Sequence, residues 1–148
     1  MANSTQYAKT VAASPSKIST TELHGRVRVA YADFTAAAAQ ETINMFKLPD
    51  GARIIGGRLN HAALGSSTTV SVGHAAYTQA DGTVVALDVD EYKAAASSAS
   101  ATGSAVASTT ALGENSLVDA PDGLIVTATT AGANATGLIT VQMTYVLD

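Results

Sequence analysis

The chain contains no cysteine and no tryptophan in 148 residues. Without cysteine there are no disulfides, no thiolate nucleophiles and no cysteine-held zinc. Aromatic residues make up 5% and charged residues 14%, the latter well below the usual quarter or so. So little charge suggests that partners cover part of the surface, although a Ser- and Thr-rich monomer would share the trait. No apolar stretch approaches membrane-spanning length, and no membrane partner is expected. The first residues lack a charged segment followed by an apolar run, so no secretory signal is expected and synthesis in the cytosol follows. The formal net charge is -4. Arg26, Arg28, Arg53 and Arg58 are scattered among acids, which argues against nucleic-acid binding.

What is present points to strands. Apolar residues account for 47%, much of it alanine, so the core must be completed by Val, Ile and Leu. The length fits one domain with a single core. Residues 42–73 hold three apolar runs separated by turn chemistry. Leu48-Pro49-Asp50-Gly51 reads as a tight reversal, because Pro presets φ and Gly accepts a positive one. Gly56-Gly57 reads as a bulge or a close backbone approach. Val70 and Val72 alternate with Thr69 and Ser71, the period of a half-buried strand. These runs are expected to form a central antiparallel meander.

Before this, Val27, Val29 and Tyr31 share one strand face, opposite Arg26, Arg28 and Ala30. Residues 36–39 fit a helical turn or a loop equally well. After it, Asp81-Gly82 marks a turn before a strand at Val84, Val85 and Leu87. Residues 88–96 read as the one helix: Asp88 and Glu91 have capping-box spacing, and Val89, Tyr92 and Ala96 would form its buried stripe. Residues 99–115 are an Ala/Ser/Thr/Gly stretch without a decisive period. The strongest strand closes the chain. Ile139, Val141, Met143, Tyr145 and Leu147 share a face opposite Thr140, Gln142 and Thr144, and a hairpin with residues 124–130 is expected. About eight strands in all imply an all-β antiparallel sandwich or jelly-roll-like barrel.

Residues 22–148 are expected to make up that sandwich, and residues 1–21 an extended N-terminal arm. The arm has no apolar period and is rich in Ala, Ser and Thr, a composition that stays disordered unless something pins it. Its own barrel and a neighbouring subunit are both candidates. Tyr7, Val11 and Ile18 are its candidate partner-binding anchors, and pairing with a sheet edge would order it at least cost.

The succession GRVRVAYADFT, LPDGARIIGGRLNHAALGSSTTVSVG, DVDEYKAAA and GLIVTATTAGANATGLITVQMTYV resembles small virion structural proteins of tailed bacteriophages. It spans residues 25–147 and is most similar to capsid decoration (cement) proteins. That resemblance implies a homotrimer on the outside of a capsid, bound to the major capsid protein. Alternatives are another virion part, such as a head fibre base, minor capsid or tail protein, and a carbohydrate-binding sandwich module. The five tyrosines do not cluster in the sequence as such a module's platform would.

Chemistry-bearing motifs are sparse. His24, His61 and His74 show no His-x-His or His-x-x-x-His spacing, so no metal site is expected. Asp88, Asp90 and Glu91 lack the glycine and distal glutamate of a calcium loop. No Gly-x-Ser-x-Gly elbow occurs, and Ser66 and Ser67 have no evident base. Asp81, Asp119 and Asp122 leave paired carboxylates open, yet each fits turn chemistry. No enzyme activity and no cofactor are expected.

Overall fold

A computed structural model of the protein describes residues 25–147. The expected arm, with Tyr7, Val11 and Ile18, lies outside the described residues. Ten strands follow in order: β1 Val27–Ala39, β2 Thr42–Leu48, β3 Arg53–His61, β4 Thr69–His74, β5 Tyr77–Thr78, β6 Val84–Val85, β7 Asp88–Ser97, β8 Thr102–Val106, β9 Leu124–Ala131 and β10 Ala135–Val146. One sheet has the order β1-β10-β3-β8 and the other β2-β9-β4-β7, while β5 and β6 form a small hairpin. All pairings are antiparallel. Apart from that hairpin and the step from β4 to β7, each strand lies in the sheet opposite its predecessor. Eight strands in two four-stranded sheets with this interleaving are a jelly roll.

That topology corrects two expectations. Residues 42–73 do not form a meander, because β2 and β4 lie in one sheet, separated by β9, and β3 lies in the other. Nor are β9 and β10 a hairpin: β9 pairs with β2 and β4, and β10 with β1 and β3. Turn chemistry states where the chain reverses, not whether the next strand joins the same sheet. Leu48-Pro49-Asp50-Gly51 does reverse the chain, with Gly51 at φ 74° and the Ala52 amide donating to the Pro49 carbonyl at 3.3 Å. It turns from one sheet to the other.

The expected helix is also absent. Residues 88–97 form β7, an edge strand that puts His74 opposite Asp88, Val72 opposite Lys93 and Val70 opposite Ala96. Asp88 Oδ1 does accept the Asp90 amide at 3.0 Å. This local bond serves a turn as well as a helix start, and pairing with β4 decides the backbone. The only helical turn among the described residues is the 3-10 segment Thr110–Leu112.

Between the sheets lie Leu48, Ile54, Leu59, Val70, Val72, Val106, Val126, Ile139, Val141 and Met143, all fully buried or nearly so. The inward face of β10 is the expected one. The double glycine also behaves as expected. Register slips opposite Thr144 and Tyr145, leaving Ile55 as the extra residue of a bulge. A Cβ on Gly57 would stand 2.5 Å from the Gln142 carbonyl oxygen, so β3 and β10 approach too closely there for any side chain.

Candidate interaction surface

Strand alternation places Val27, Val29, Tyr31, Asp33 and Thr35 on one face of β1. The structure turns that face to solvent. Val27 is 63%, Val29 60% and Tyr31 60% exposed, whereas Ala30, Phe34 and Ala36 pack toward the core. Pairing extends the surface across the sheet: Val29 lies opposite Thr144, and Tyr31 opposite Gln142, which in turn faces Arg58 on β3. Farther along, Leu138 is 46% exposed opposite Thr35. The charges at the paired positions of this outer face are Asp33, Arg58 and Arg53, the last level with Val146 and Val27. An exposed apolar stripe of this kind is a candidate contact surface.

Sequence reasoning found the alternation in residues 27–31 but did not say which face turns inward. A signal was available further along the strand. Ala32, Phe34 and Ala36 continue the parity of Ala30, and only that parity carries a large apolar group, Phe34, into the strand's well-covered half.

The histidines and acids considered as chemical groups are mostly engaged in local structure. His61 and His74 are buried, and each holds Nδ1 against the carbonyl of the next residue, Ala62 at 2.8 Å and Ala75 at 3.0 Å. His74 also packs edge-on against Tyr77, with ring centroids 5.3 Å apart, and against Tyr92 at 6.0 Å. His24 lies outside the described residues. Asp81 accepts the Thr83 amide at 2.8 Å, a local turn bond, whereas Asp119 accepts the Ala80 amide at 3.1 Å from a residue distant in sequence and so ties two loops together. The bond from Thr83 lowers the Asp81 carboxyl below its ordinary value, and the bond from Asp90 does the same for Asp88. No group of three His, Cys, Asp or Glu able to hold a metal is gathered among the described residues. Asp122 lines a shallow depression of about 380 Å³ with Lys47, Asp50 and Pro121 at one end of the sandwich.

Solved structures supply the comparison. A chain of the cyanophage Pam1 capsid asymmetric unit matches with a TM-score of 0.62 and 21% identity, over 84% of this chain and 86% of that one. A chain of the capsid of Ralstonia phage GP4 matches with a TM-score of 0.63 and 21% identity, over the same shares. The fold is shared with phage capsid chains. A chain of the acidic stable capsid of Helicobacter pylori bacteriophage KHP30 adds a TM-score of 0.55 at 21% identity, over 82% of this chain and 87% of that one. Near-equal coverage on both sides means that the matched chains are of comparable length. No protein-family model and no curated protein sequence matches the chain.

Proposed function

We propose that the chain is a structural virion protein that binds the outside of a phage capsid and stabilises the shell as a decoration, or cement, protein. The observation that carries this reading is the fold match to chains of three phage capsids over more than four-fifths of both partners. The sparse chemistry, the low charge and the exposed apolar stripe on β1 support a role built on contacts rather than catalysis. The partner in this reading is the major capsid protein. Cementing requires a rigid body and binding to the assembled lattice in preference to its separated subunits, which stabilises the lattice by mass action. Several copies bound together raise the avidity. Residues 1–21 act as the tether in this scheme, with Tyr7, Val11 and Ile18 as its anchors.

The test is a binding experiment on capsids of the source phage stripped of this protein. The full chain should sediment with the particles and raise the temperature at which they release DNA. A variant lacking residues 2–20 should keep the circular dichroism of the parent and bind the particles more weakly. If the full chain fails to bind tail-less capsids, or binds without changing their stability, the decoration reading is wrong. Equal binding by the truncated chain would remove the tether alone.

A further inference from the structure

We infer that β1 is a self-association edge, pairing antiparallel with β1 of a second copy of this chain across a two-fold axis. Among the described residues the sandwich has four edge strands, and three carry features that block strand addition. β2 has a register break at Asn44–Phe46 and presents Lys47. β7 has two register breaks and carries Asp88, Asp90, Glu91 and Lys93. β8 is five residues long and includes Gly103. β1 differs from all three. It is 13 residues long, and its irregularity lies near its far end, between Ala37 and Ala39. Residues 27–35 contain no proline, no lysine and no bulge, and their two charges, Arg28 and Asp33, project to opposite faces. Among the described residues nothing pairs with the side of this segment that faces away from β10.

The occupant follows from the strand's own pattern. Residues opposite one another in an antiparallel pair lie on the same face. A two-fold axis normal to the sheet at Ala30 sets Val29 of one copy level with Tyr31 of the other. The two apolar stripes then merge on one side of a continuous eight-stranded sheet. Asp33 of each copy comes level with Val27 of the other, and Arg28 with Ala32, so no like charges meet across the pair. Parallel pairing would instead stack Asp33 on Asp33 and Arg28 on Arg28, which like charges disfavour. The contact is therefore self-complementary, as a two-fold interface must be. The trimer implied by the sequence resemblance needs β1 to meet an unlike surface, and the chemistry of β1 favours its own copy.

Sedimentation velocity of the full chain over a concentration series tests the pairing without any particle, so its failure is separate from that of the capsid reading. The parent should show a two-chain species. Tyr31→Lys, which places a charge on the stripe, should weaken the association by about tenfold or more, with an unchanged melting curve at concentrations where the parent is a monomer. Cysteine pairs test the register directly, since the natural chain has none. Under mild oxidation, a mixture of Val29→Cys and Tyr31→Cys chains should form covalent dimers faster than either chain alone, and faster than Val84→Cys, which is exposed on another strand. The inference is overturned if the parent is a monomer or a trimer throughout. It is equally overturned if Tyr31→Lys associates like the parent, or if the mixed cysteines cross-link no faster than Val84→Cys.

Discussion

β10 and β7 are both long strands, one at the centre of its sheet and the other at an edge, and the sequence announces them in opposite ways. β10 alternates apolar and polar residues over most of its length, and pairing with β1 and β3 holds it on both sides. β7 reads DVDEYKAAAS, a run of acids and alanines suited to a helix, and among the described residues only β4 pairs with it. Its large fully enclosed residue is Tyr92, 4% exposed. A central strand must satisfy two ladders and a core at once, so its sequence is heavily constrained. An edge strand needs one ladder and an anchor, and its remaining residues are free to carry the wrong local propensity.

The largest effect should come from breaking β10. Val141 is fully buried, opposite Ala32 on one side and Leu59 on the other. Val141→Asp places a carboxylate in that core without a partner, at a cost of about 4 kcal/mol or more. Calorimetry should find the variant unfolded, or melting on the order of 10 °C below the parent. The same experiment on β7 needs its anchor. Tyr92→Ala empties the site of a ring that packs near His74 and against Gly113, costing about 3 kcal/mol. An exposed β7 position such as Ala95 should tolerate substitution far better, and a Tyr92→Ala variant that melts like the parent would deny β7 its anchor.

These two strands also explain how much of the molecule was legible. Where period 2 met a buried face, as in Ile139, Val141 and Met143, strand and orientation both followed from the sequence. In β1 the period was legible and the orientation was not, because the apolar residues Val27, Val29 and Tyr31 turn outward. The exposed apolar face was therefore hidden in a pattern that resembles a core. In β7, Asp88 made the local bond of a capping residue, and nothing local could reveal that β4 would claim the backbone. Sheet assignment was lost for a related reason: a Pro-Asp-Gly turn has the same residues whether the chain returns to its own sheet or crosses to the other.

A smaller effect, confined to alkaline solution, probes the enclosure of Tyr92. Burial is the main cause that raises its hydroxyl above the ordinary value of 10.0, with Tyr77, Glu91 and Asp88 adding to it. Tyr77 is raised too, again chiefly by burial. In the unfolded chain these groups ionise near pH 10, whereas the folded chain keeps Tyr92 protonated. Stability from this source is complete below pH 10 and falls as pH rises beyond it, by at most roughly 1.4 kcal/mol per pH unit for Tyr92. Melting temperatures measured from pH 8 to 11 should drop more steeply for the parent than for Tyr92→Phe. Parallel curves would mean that the hydroxyl is in contact with water.

The smallest effect has the most informative sign. Ala96 is exposed and lies opposite Val70 on β4. If residues 88–97 were helical, Ala96→Thr would replace the best helix former with a β-branched residue and cost about 0.5 kcal/mol. In an edge strand the same change adds a side chain that suits a pleated surface and can touch Val70 across the pair, for a gain of about 0.3 kcal/mol. The melting temperature should therefore rise by about 1 °C. A fall would show that helix propensity still governs this stretch in solution, and that β7 is held in its ladder only by Tyr92 and the pairs nearest it.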